Sequence, residues 1–310
     1  MIFVQIMHDS TRPYRGRFAP SPTGPLHFGS LVAAVGSYLE ARWNRGRWLV
    51  RMEDLDRLRE ARGASKAILK MLEAYGFEWD GRVVFQSRRD AAYAAALKRL
   101  ERGRAVFPCA CTRREISDST LSAAGESIYP GTCRKGPPPG RTARAVRVRV
   151  DNAVIAFEDL LQGRIEQNLA REVGDFVVRR ADGLFAYQLA VVVDDFEQDI
   201  TDVVRGADLL ASTARQILLQ RLLGHPTPRY MHLPVAVNQA GEKISKQTRA
   251  APLTLTEAPS RLLQALRFLG QEPPAELAAA TIAEIWNWAL ANWRTERIPT
   301  RRSIRERDAG

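Results

Sequence analysis

A histidine shares the stretch RFAPSPTGPLHFGS, residues 17–30, with three prolines and two glycines, directly before a helical pattern. A helix start offers unpaired N–H groups and a partial positive charge, so an imidazole at His27 can join them in contacting a phosphate. The prolines stiffen the loop, and Gly24 and Gly29 let a ligand come close to the backbone. The stretch predicts a phosphate-binding loop; a structural turn that holds an ordinary histidine is the alternative.

A pair of lysines in GEKISKQ, residues 241–247, suits the same chemistry. Lys243 and Lys246 lie three positions apart in a loop that begins with glycine. Their ammonium groups can therefore contact a polyphosphate from the side opposite to His27. For a lone K-x-x-K pattern, a solvated pair of charges is the alternative.

All three cysteines of the chain, Cys109, Cys111 and Cys133, lie in one segment rich in Gly and Pro. An odd number of cysteines cannot all pair within one chain, which favours a reducing compartment and either metal binding or burial. A tetrahedral structural zinc would use the three thiolates and a fourth ligand. The segment has no histidine, so Asp118, Glu126 and water are candidates. Three buried, reduced thiols are the alternative.

The elements that must position these residues follow from the periodicity of the apolar residues. Residues 15–19 read as a strand, GSLVAAVGSYLEARWNRG reads as a helix that stops at Gly46, and WLVRMED, residues 48–54, reads as a second strand. Strand, helix and strand in this order form the βαβ unit of a parallel sheet.

The rest of the chain interrupts and then resumes this pattern. The segment 105–185 reads as an irregular insertion, with a hairpin signal at Asp182-Gly183. The α/β pattern then returns, YMHLPVAVN reads as another strand, and the residues after 250 look helical. The sequence therefore predicts two α/β halves separated by an insertion.

The composition limits the function classes. With 310 residues, of which 45% are apolar and 26% charged, the chain is typical of globular proteins. No apolar run reaches the roughly 18 residues of a membrane span, and the opening MIFVQIM is too short for a signal peptide. We therefore expect a cytoplasmic protein with no membrane partner. The net charge of +11 favours nucleic acid as the partner, with solvated arginines as the alternative.

Together with RMEDLD, YQLAVVVDD and VVRGADLL, the two loops resemble the signatures of class I aminoacyl-tRNA synthetases of the glutamyl branch, over residues 15–250. HFGS stands where that family has HIGH and KISKQ where it has KMSKS, so Ser30 and Gln247 depart from the motifs. The resemblance implies an α/β fold, namely the Rossmann-like parallel sheet of the class with a zinc-braced insertion and a helical C-terminal region. The implied domains are the first half of the catalytic domain (1–104), the insertion with the zinc site (105–185), the second half with the KISKQ loop (186–250), and the helical region with a basic tail (251–310).

The resemblance also implies roles for individual residues. Arg17 and Arg205 would bind the side-chain carboxylate of glutamate, and Glu53 would bind its α-ammonium. The full implied glutamate site is Arg17, Phe18, Ala19, Pro20, Ser21, Glu53, Tyr187 and Arg205. For Mg-ATP the implied residues are His27, Gly29 and Lys246, and the catalytic ones are His27, Lys243 and Lys246. The IYPGTCR stretch supplies the tyrosine that this family uses with three cysteines, so the implied zinc ligands are Cys109, Cys111, Tyr129 and Cys133.

The length after the second loop distinguishes two branches of the family. Residues 248–310 leave room for a few helices but not for a large anticodon-binding module. The chain thus resembles the shortened paralogues that activate glutamate without tRNA and attach it to the queuosine base of tRNA(Asp), and we expect a monomer. The alternatives are a glutamyl-tRNA synthetase that charges the tRNA 3′ end and an inactive paralogue that only binds RNA. A nucleotidyltransferase would leave RMEDLD and VVRGADLL unexplained.

Overall fold

The computed structural model describes residues 12–56, 59–117, 127–152, 154–244 and 251–305. The strands of this part are β1 Arg15–Phe18, β2 Arg47–Met52, β3 Val84–Phe85, β4 Val106–Cys109, β5 Ala145–Val148, β6 Val154–Asp159, β7 Gly163–Asn168, β8 Val177–Arg179, β9 Asp202–Gly206, β10 Arg229–Leu233, β11 Val235–Val237 and β12 Ser303–Arg305. The helices are α1 Phe28–Trp43, α2 Ala64–Ala74, α3 Asp90–Arg102, α4 Arg113–Ser117, α5 Leu169–Glu172, α6 Tyr187–Glu197, α7 Leu210–Leu223, α8 Ala258–Phe268 and α9 Ile282–Asn292.

A parallel sheet forms the centre of the fold. β1 pairs with β2, β2 with β3, and β9 with β10, all in parallel. β1 and β9 are joined where Thr201 donates its backbone N–H to the Arg15 carbonyl, at 3.0 Å. Two hydrogen-bonded sets, β3-β2-β1 and β9-β10-β6-β7, therefore lie side by side with β1 next to β9, and the direction of winding reverses between these two strands. In open α/β sheets, ligands bind beyond the carboxyl ends of the strands at this switch point.

The predicted strand, helix and strand of the first βαβ unit are confirmed as β1, α1 and β2. Helix α1 is buried on most of its surface, and Leu31, Val35 and Leu39, which share helical spacing in the sequence, lie in the main hydrophobic core. Gly46 follows the helix at a point where a Cβ would collide with the backbone of Tyr14. The glycine therefore permits the chain to enter β2 tightly packed against the start of β1.

The segment 105–185 contains two structurally different parts. β4, β5 and β8 form a small antiparallel sheet that carries the cysteines. The β6–β7 hairpin instead extends the central sheet, because β6 pairs in parallel with β10. The hairpin predicted at Asp182-Gly183 amounts to a turn with a single antiparallel bridge between Arg179 and Phe185. The predicted domain boundaries themselves stay predictions.

The stretch YMHLPVAVN forms two strands instead of the single one that we predicted. Pro234 separates β10 from β11 because a proline lacks the N–H that a central strand must donate. β11 leaves the central sheet and pairs with β12.

The helices predicted after residue 250 are confirmed as α8 and α9, which pack on α1. Trp286 and Trp293 anchor this region, donating their indole N–H groups to the Tyr75 carbonyl and the Glu40 carboxylate at 2.8 Å each. No helix in the described ranges is long and apolar enough to cross a membrane.

Candidate active site

A cavity of about 450 Å³ lies at the carboxyl ends of β1 and β9, at the N-terminus of α1. The residues predicted from the sequence that line it are Arg17, Phe18, Ala19, Pro20, Ser21, His27, Gly29, Glu53, Tyr187, Arg205 and Lys243. Lys246 lies outside the described residues. The structure thus brings together side chains that are up to 226 positions apart in the chain, at the place where the sheet topology favours a ligand.

His27 is the N-cap of α1. Its Nδ1 accepts a hydrogen bond from the backbone N–H of Ser30 at 3.4 Å, so the proton of a neutral ring belongs on Nε2, where it can be donated to a phosphate. Because Ser30 uses its backbone here, the serine that departs from the family motif still supplies this contact.

The two predicted loops meet at the start of α1. A Cβ on Gly29 would lie 3.2 Å from the His27 ring and 3.4 Å from the Ile244 carbonyl oxygen. His27 also forms a bridge with Pro252. Lys243, which also lines the cavity, forms an ion pair between its Nζ and Asp208 Oδ2 at 2.5 Å. The described part of the GEKISKQ stretch is therefore in contact with the HFGS loop, as a shared phosphate site requires.

Arg17 is held from behind by a buried ion-pair network. Its Nε donates to Asp195 Oδ1 at 3.1 Å, and Arg51 Nη2 lies 2.8 Å from the same oxygen. Arg17 is 3% exposed and Arg51 is fully buried. The two guanidinium groups hold the pKa of Asp195 below its usual range, outweighing the burial that would raise it.

Glu53 is nearly buried, and its Oε1 has no hydrogen-bond partner within the described part of the chain. Arg51 Nη2 lies 3.6 Å from this oxygen. Burial raises the pKa of Glu53 to about 7, although the charges of Arg51 and Arg17 oppose the change. A carboxyl group of this kind gains most from a cationic ligand, which would favour its ionised form.

Arg205 is 5% exposed and approaches the cavity from β9. Its Nη2 donates to Thr213 Oγ1 at 2.8 Å, and its Nε lies 3.1 Å from His232 Nε2. Nη1 has no hydrogen-bond partner among the described residues. Two of the three guanidinium nitrogens are therefore used to hold the side chain, and Nη1 is left for a carboxylate.

The three cysteines form a compact cluster in the small antiparallel sheet. The Sγ atoms of Cys109, Cys111 and Cys133 lie within 4.8 Å of one another. The Tyr129 hydroxyl is 3.4 Å from Cys109 Sγ and 3.6 Å from Cys111 Sγ. A tetrahedral zinc with Zn–S bonds of about 2.3 Å keeps its sulfurs about 3.8 Å apart. The cluster could therefore bind a metal ion with Tyr129 beside it, whereas Asp118 and Glu126 lie outside the described residues.

The sequence reasoning assigned no role to Asp195, Arg51, His232 or Asp159. Asp195 and Arg51 lie within the motifs YQLAVVVDD and RMEDLD, and two acids directly after an apolar helical run indicate buried, paired charges. His232 and Asp159 carry no local pattern that would indicate their contact, because they come from strands 73 positions apart.

Comparison with known proteins agrees with this geometry. The family model described as tRNA synthetases class I (E and Q), catalytic domain, matches residues 14–280. A glutamyl-Q tRNA(Asp) synthetase from Dechloromonas aromatica is 62% identical over 93% of this chain and 96% of its own length. Relatives with the same name from Aromatoleum aromaticum and Pseudomonas aeruginosa are 58% and 54% identical, over 95% and 93% of this chain and 93% and 96% of their own lengths. The chain belongs to the glutamyl-Q tRNA(Asp) synthetase family.

Solved structures agree on the fold of this glutamyl-Q tRNA(Asp) synthetase family member. A glutamate-tRNA synthetase from Elizabethkingia anophelis superposes with a TM-score of 0.77 at 22% identity, over 96% of this chain and 69% of that one. A glutamate tRNA ligase from Elizabethkingia meningosepticum, in complex with its amino acid, gives the same TM-score and identity over 96% and 68%. The class I synthetase fold predicted from the motifs is confirmed.

Proposed function

We propose that the chain activates glutamate with Mg-ATP to form glutamyl-adenylate and transfers the glutamyl group to the queuosine base in the anticodon of tRNA(Asp). The observation that carries the first half is one cavity that contains two nearly buried arginines, Arg17 and Arg205, and the buried carboxyl group of Glu53. Guanidinium groups bind carboxylates in a planar geometry, and a carboxylate suits an ammonium. The names of the close relatives support the second half.

The residues of the cavity suit each step of this reaction. An oxygen of the glutamate α-carboxylate attacks the α-phosphorus of ATP, the bond from that phosphorus to its bridging oxygen breaks, and pyrophosphate leaves. His27 Nε2–H and the ammonium group of Lys243 would stabilise the charge that develops on the phosphate oxygens, together with Lys246, which the sequence predicts for this role, and the magnesium ion that enters with ATP would add positive charge there. A hydroxyl of the acceptor base then attacks the acyl carbon, and AMP leaves with the electron pair of the broken bond.

We further propose that the metal of the cysteine cluster is zinc, held by Cys109, Cys111, Cys133 and Tyr129. Cys109, Cys133 and Tyr129 are buried, and none of the four residues lines the cavity. Zinc in such a site stabilises structure and takes no part in the reaction. Reduced thiols suit the cytoplasm as the location of the enzyme.

The test is ATP–pyrophosphate exchange with glutamate, glutamine or aspartate, each with and without tRNA, followed by transfer of labelled glutamate to tRNA(Asp) that carries or lacks queuosine. We expect pyrophosphate exchange with glutamate, but not with glutamine or aspartate, and without any need for tRNA. Labelled glutamate should appear only on tRNA(Asp) that carries queuosine, and the label should stay on the tRNA after its CCA end is removed. Label that is lost with the CCA end indicates charging of the tRNA 3′ end. RNA binding without any exchange indicates an inactive paralogue and overturns the proposal.

A further inference from the structure

His232 lies completely buried on β10, directly behind Arg205, and it does not line the cavity. Its Nε2 is 3.1 Å from Arg205 Nε, and its Nδ1 is 2.5 Å from Asp159 Oδ2. Asp159 ends β6, the strand through which the segment 105–185 joins the central sheet. A continuous buried chain therefore connects Asp159 through an imidazole to the guanidinium group of Arg205.

The contacts at both ends define the protonation of the imidazole. A carboxylate 2.5 Å from Nδ1 requires a proton on that nitrogen, and the N–H of Arg205 requires a lone pair on Nε2. His232 is therefore a neutral Nδ1–H tautomer. Burial lowers its pKa to about 4, even though the hydrogen bond to Asp159 favours the charged form.

The negative charge of Asp159 is satisfied without Arg205. Its carboxylate accepts the backbone N–H groups of Leu161, Gln162 and His232 at 3.1, 2.9 and 3.2 Å, besides the imidazole N–H. These donors hold the pKa of Asp159 below its usual range against the effect of burial. The imidazole consequently orients Arg205 without bringing a carboxylate into contact with it.

We infer that His232 is a positioning residue for amino-acid selection, which, held by Asp159, aims Arg205 at the substrate side-chain carboxylate while leaving the positive charge of Arg205 uncompensated. This inference rests on the proposed activation of glutamate. Arg17, in contrast, donates directly to the Asp195 carboxylate. An arginine paired with a carboxylate retains less attraction for a second one, whereas a neutral acceptor leaves that attraction intact.

Two substitutions separate the two contacts of the imidazole, because each keeps one contact and removes the other. In His232→Asn, the amide Nδ2–H replaces Nδ1–H and can still donate to Asp159, but Arg205 Nε loses its acceptor. In His232→Gln, the amide oxygen reaches the position of Nε2 and accepts from Arg205, while the contact with Asp159 is lost. If His232 only braced Asp159, the Gln variant would be the more impaired of the two, which is the reverse of the order that a role through Arg205 predicts.

The experiment measures KM for glutamate and for ATP in the exchange reaction of the full chain, together with thermal unfolding. We expect His232→Asn to raise the glutamate KM about tenfold or more, equivalent to about 1.4 kcal/mol. The ATP KM of His232→Asn should stay within about twofold of wild type. The glutamate KM of His232→Gln should lie within about threefold of wild type. Asp159→Asn should also raise the glutamate KM, because an Asn amide can donate to Nδ1 and move the imidazole proton to Nε2.

Provided that the wild type is active, two results overturn the inference. One is an equal rise in the glutamate KM of His232→Asn and His232→Gln, and the other is a rise in the ATP KM that parallels the rise in the glutamate KM. If His232→Asn does not fold, Asp159→Asn is used instead. The inference then requires that its glutamate KM rises while its ATP KM stays close to wild type. Absence of glutamate-dependent exchange in wild type is a different result, because it removes the proposed function and the inference together.

Discussion

Replacement of Glu53 by glutamine should stabilise the protein above neutral pH and abolish the activation of glutamate. Burial raises the pKa of Glu53 from 4.5 to about 7, so the ionised carboxylate is unfavourable in the folded state. A difference of about 2.5 in pKa, at about 1.4 kcal/mol per pKa unit, costs roughly 3–4 kcal/mol once the group is ionised. Glutamine keeps the shape of the side chain and removes that cost together with the charge that would bind an α-ammonium.

The pH dependence follows from proton binding in the two states. Below about pH 4.5, Glu53 is protonated in both the folded and the unfolded chain and contributes no difference. Between about pH 4.5 and 7, the unfolded chain releases the proton while the folded chain keeps it, so the contribution of Glu53 to stability falls as pH rises. Above pH 7 the loss is complete, which is where Glu53→Gln should show its full gain.

Thermal unfolding of wild type and Glu53→Gln between pH 5 and 8.5 tests this reasoning. We expect nearly equal Tm values near pH 5 and a variant Tm higher by roughly 5 °C at pH 8.5, because an unfolding entropy of about 2.1 cal/mol/K per residue makes 1 kcal/mol equivalent to about 1.5 °C in a chain of 310 residues. The exposed Glu101→Gln on α3 is the matched control and should leave the pH profile unchanged. Parallel Tm profiles of wild type and Glu53→Gln over the whole pH range would refute the raised pKa of Glu53.

The remaining predictions concern binding and the metal. The wild-type KM for glutamate should rise as pH falls below about 7, because only ionised Glu53 attracts the α-ammonium; a pH-independent glutamate KM in exchange assays would contradict this. Arg205→Ala should raise the glutamate KM about tenfold to a hundredfold, as expected for a hydrogen bond to a charged group, and leave the ATP KM nearly unchanged; an equal loss for both substrates would exclude its role. Gly29→Ala should instead raise the ATP KM, because the new Cβ would lie 3.2 Å from the His27 ring; unchanged ATP kinetics would argue against this contact. Elemental analysis should find about one zinc per chain, and Cys111→Ser should reduce that content and lower Tm; a metal-replete preparation without zinc would reject the site.

The sequence was sufficient to predict the elements that position the site and eleven of the 24 residues that line the cavity in the described part of the chain. The βαβ unit is local and strongly periodic, and its loops lie at strand ends, so Arg17, His27 and Glu53 converge as soon as the parallel sheet forms. The same reasoning could not divide YMHLPVAVN into two strands, because its apolar pattern continues across Pro234.

The contacts behind the cavity could not be predicted from the sequence. Asp195 on α6 meets Arg17 on β1 across 178 positions, and Asp159 meets His232 across 73, so each pair depends on how the elements pack and not on spacing within one element. Burial of a charged group also cannot be predicted from the residues next to it in the sequence, since a lone Asp or His is more often solvated than fully buried. The raised pKa of Glu53 and the neutral state of His232 arise only from the folded surroundings.

The different ways in which the two arginines are held give the cavity an internal polarity. Arg17 and Arg51 share the carboxylate of Asp195, next to the carboxyl group of Glu53, so positive and negative charge are closely balanced at that end. Arg205 is held by a neutral imidazole and a hydroxyl, so its charge stays unbalanced. An amino acid with an ammonium at one end and a second carboxylate at the other matches this asymmetry. Glutamine lacks the negative charge that the unbalanced Arg205 would attract, and the physical basis for discrimination between the two lies in that difference.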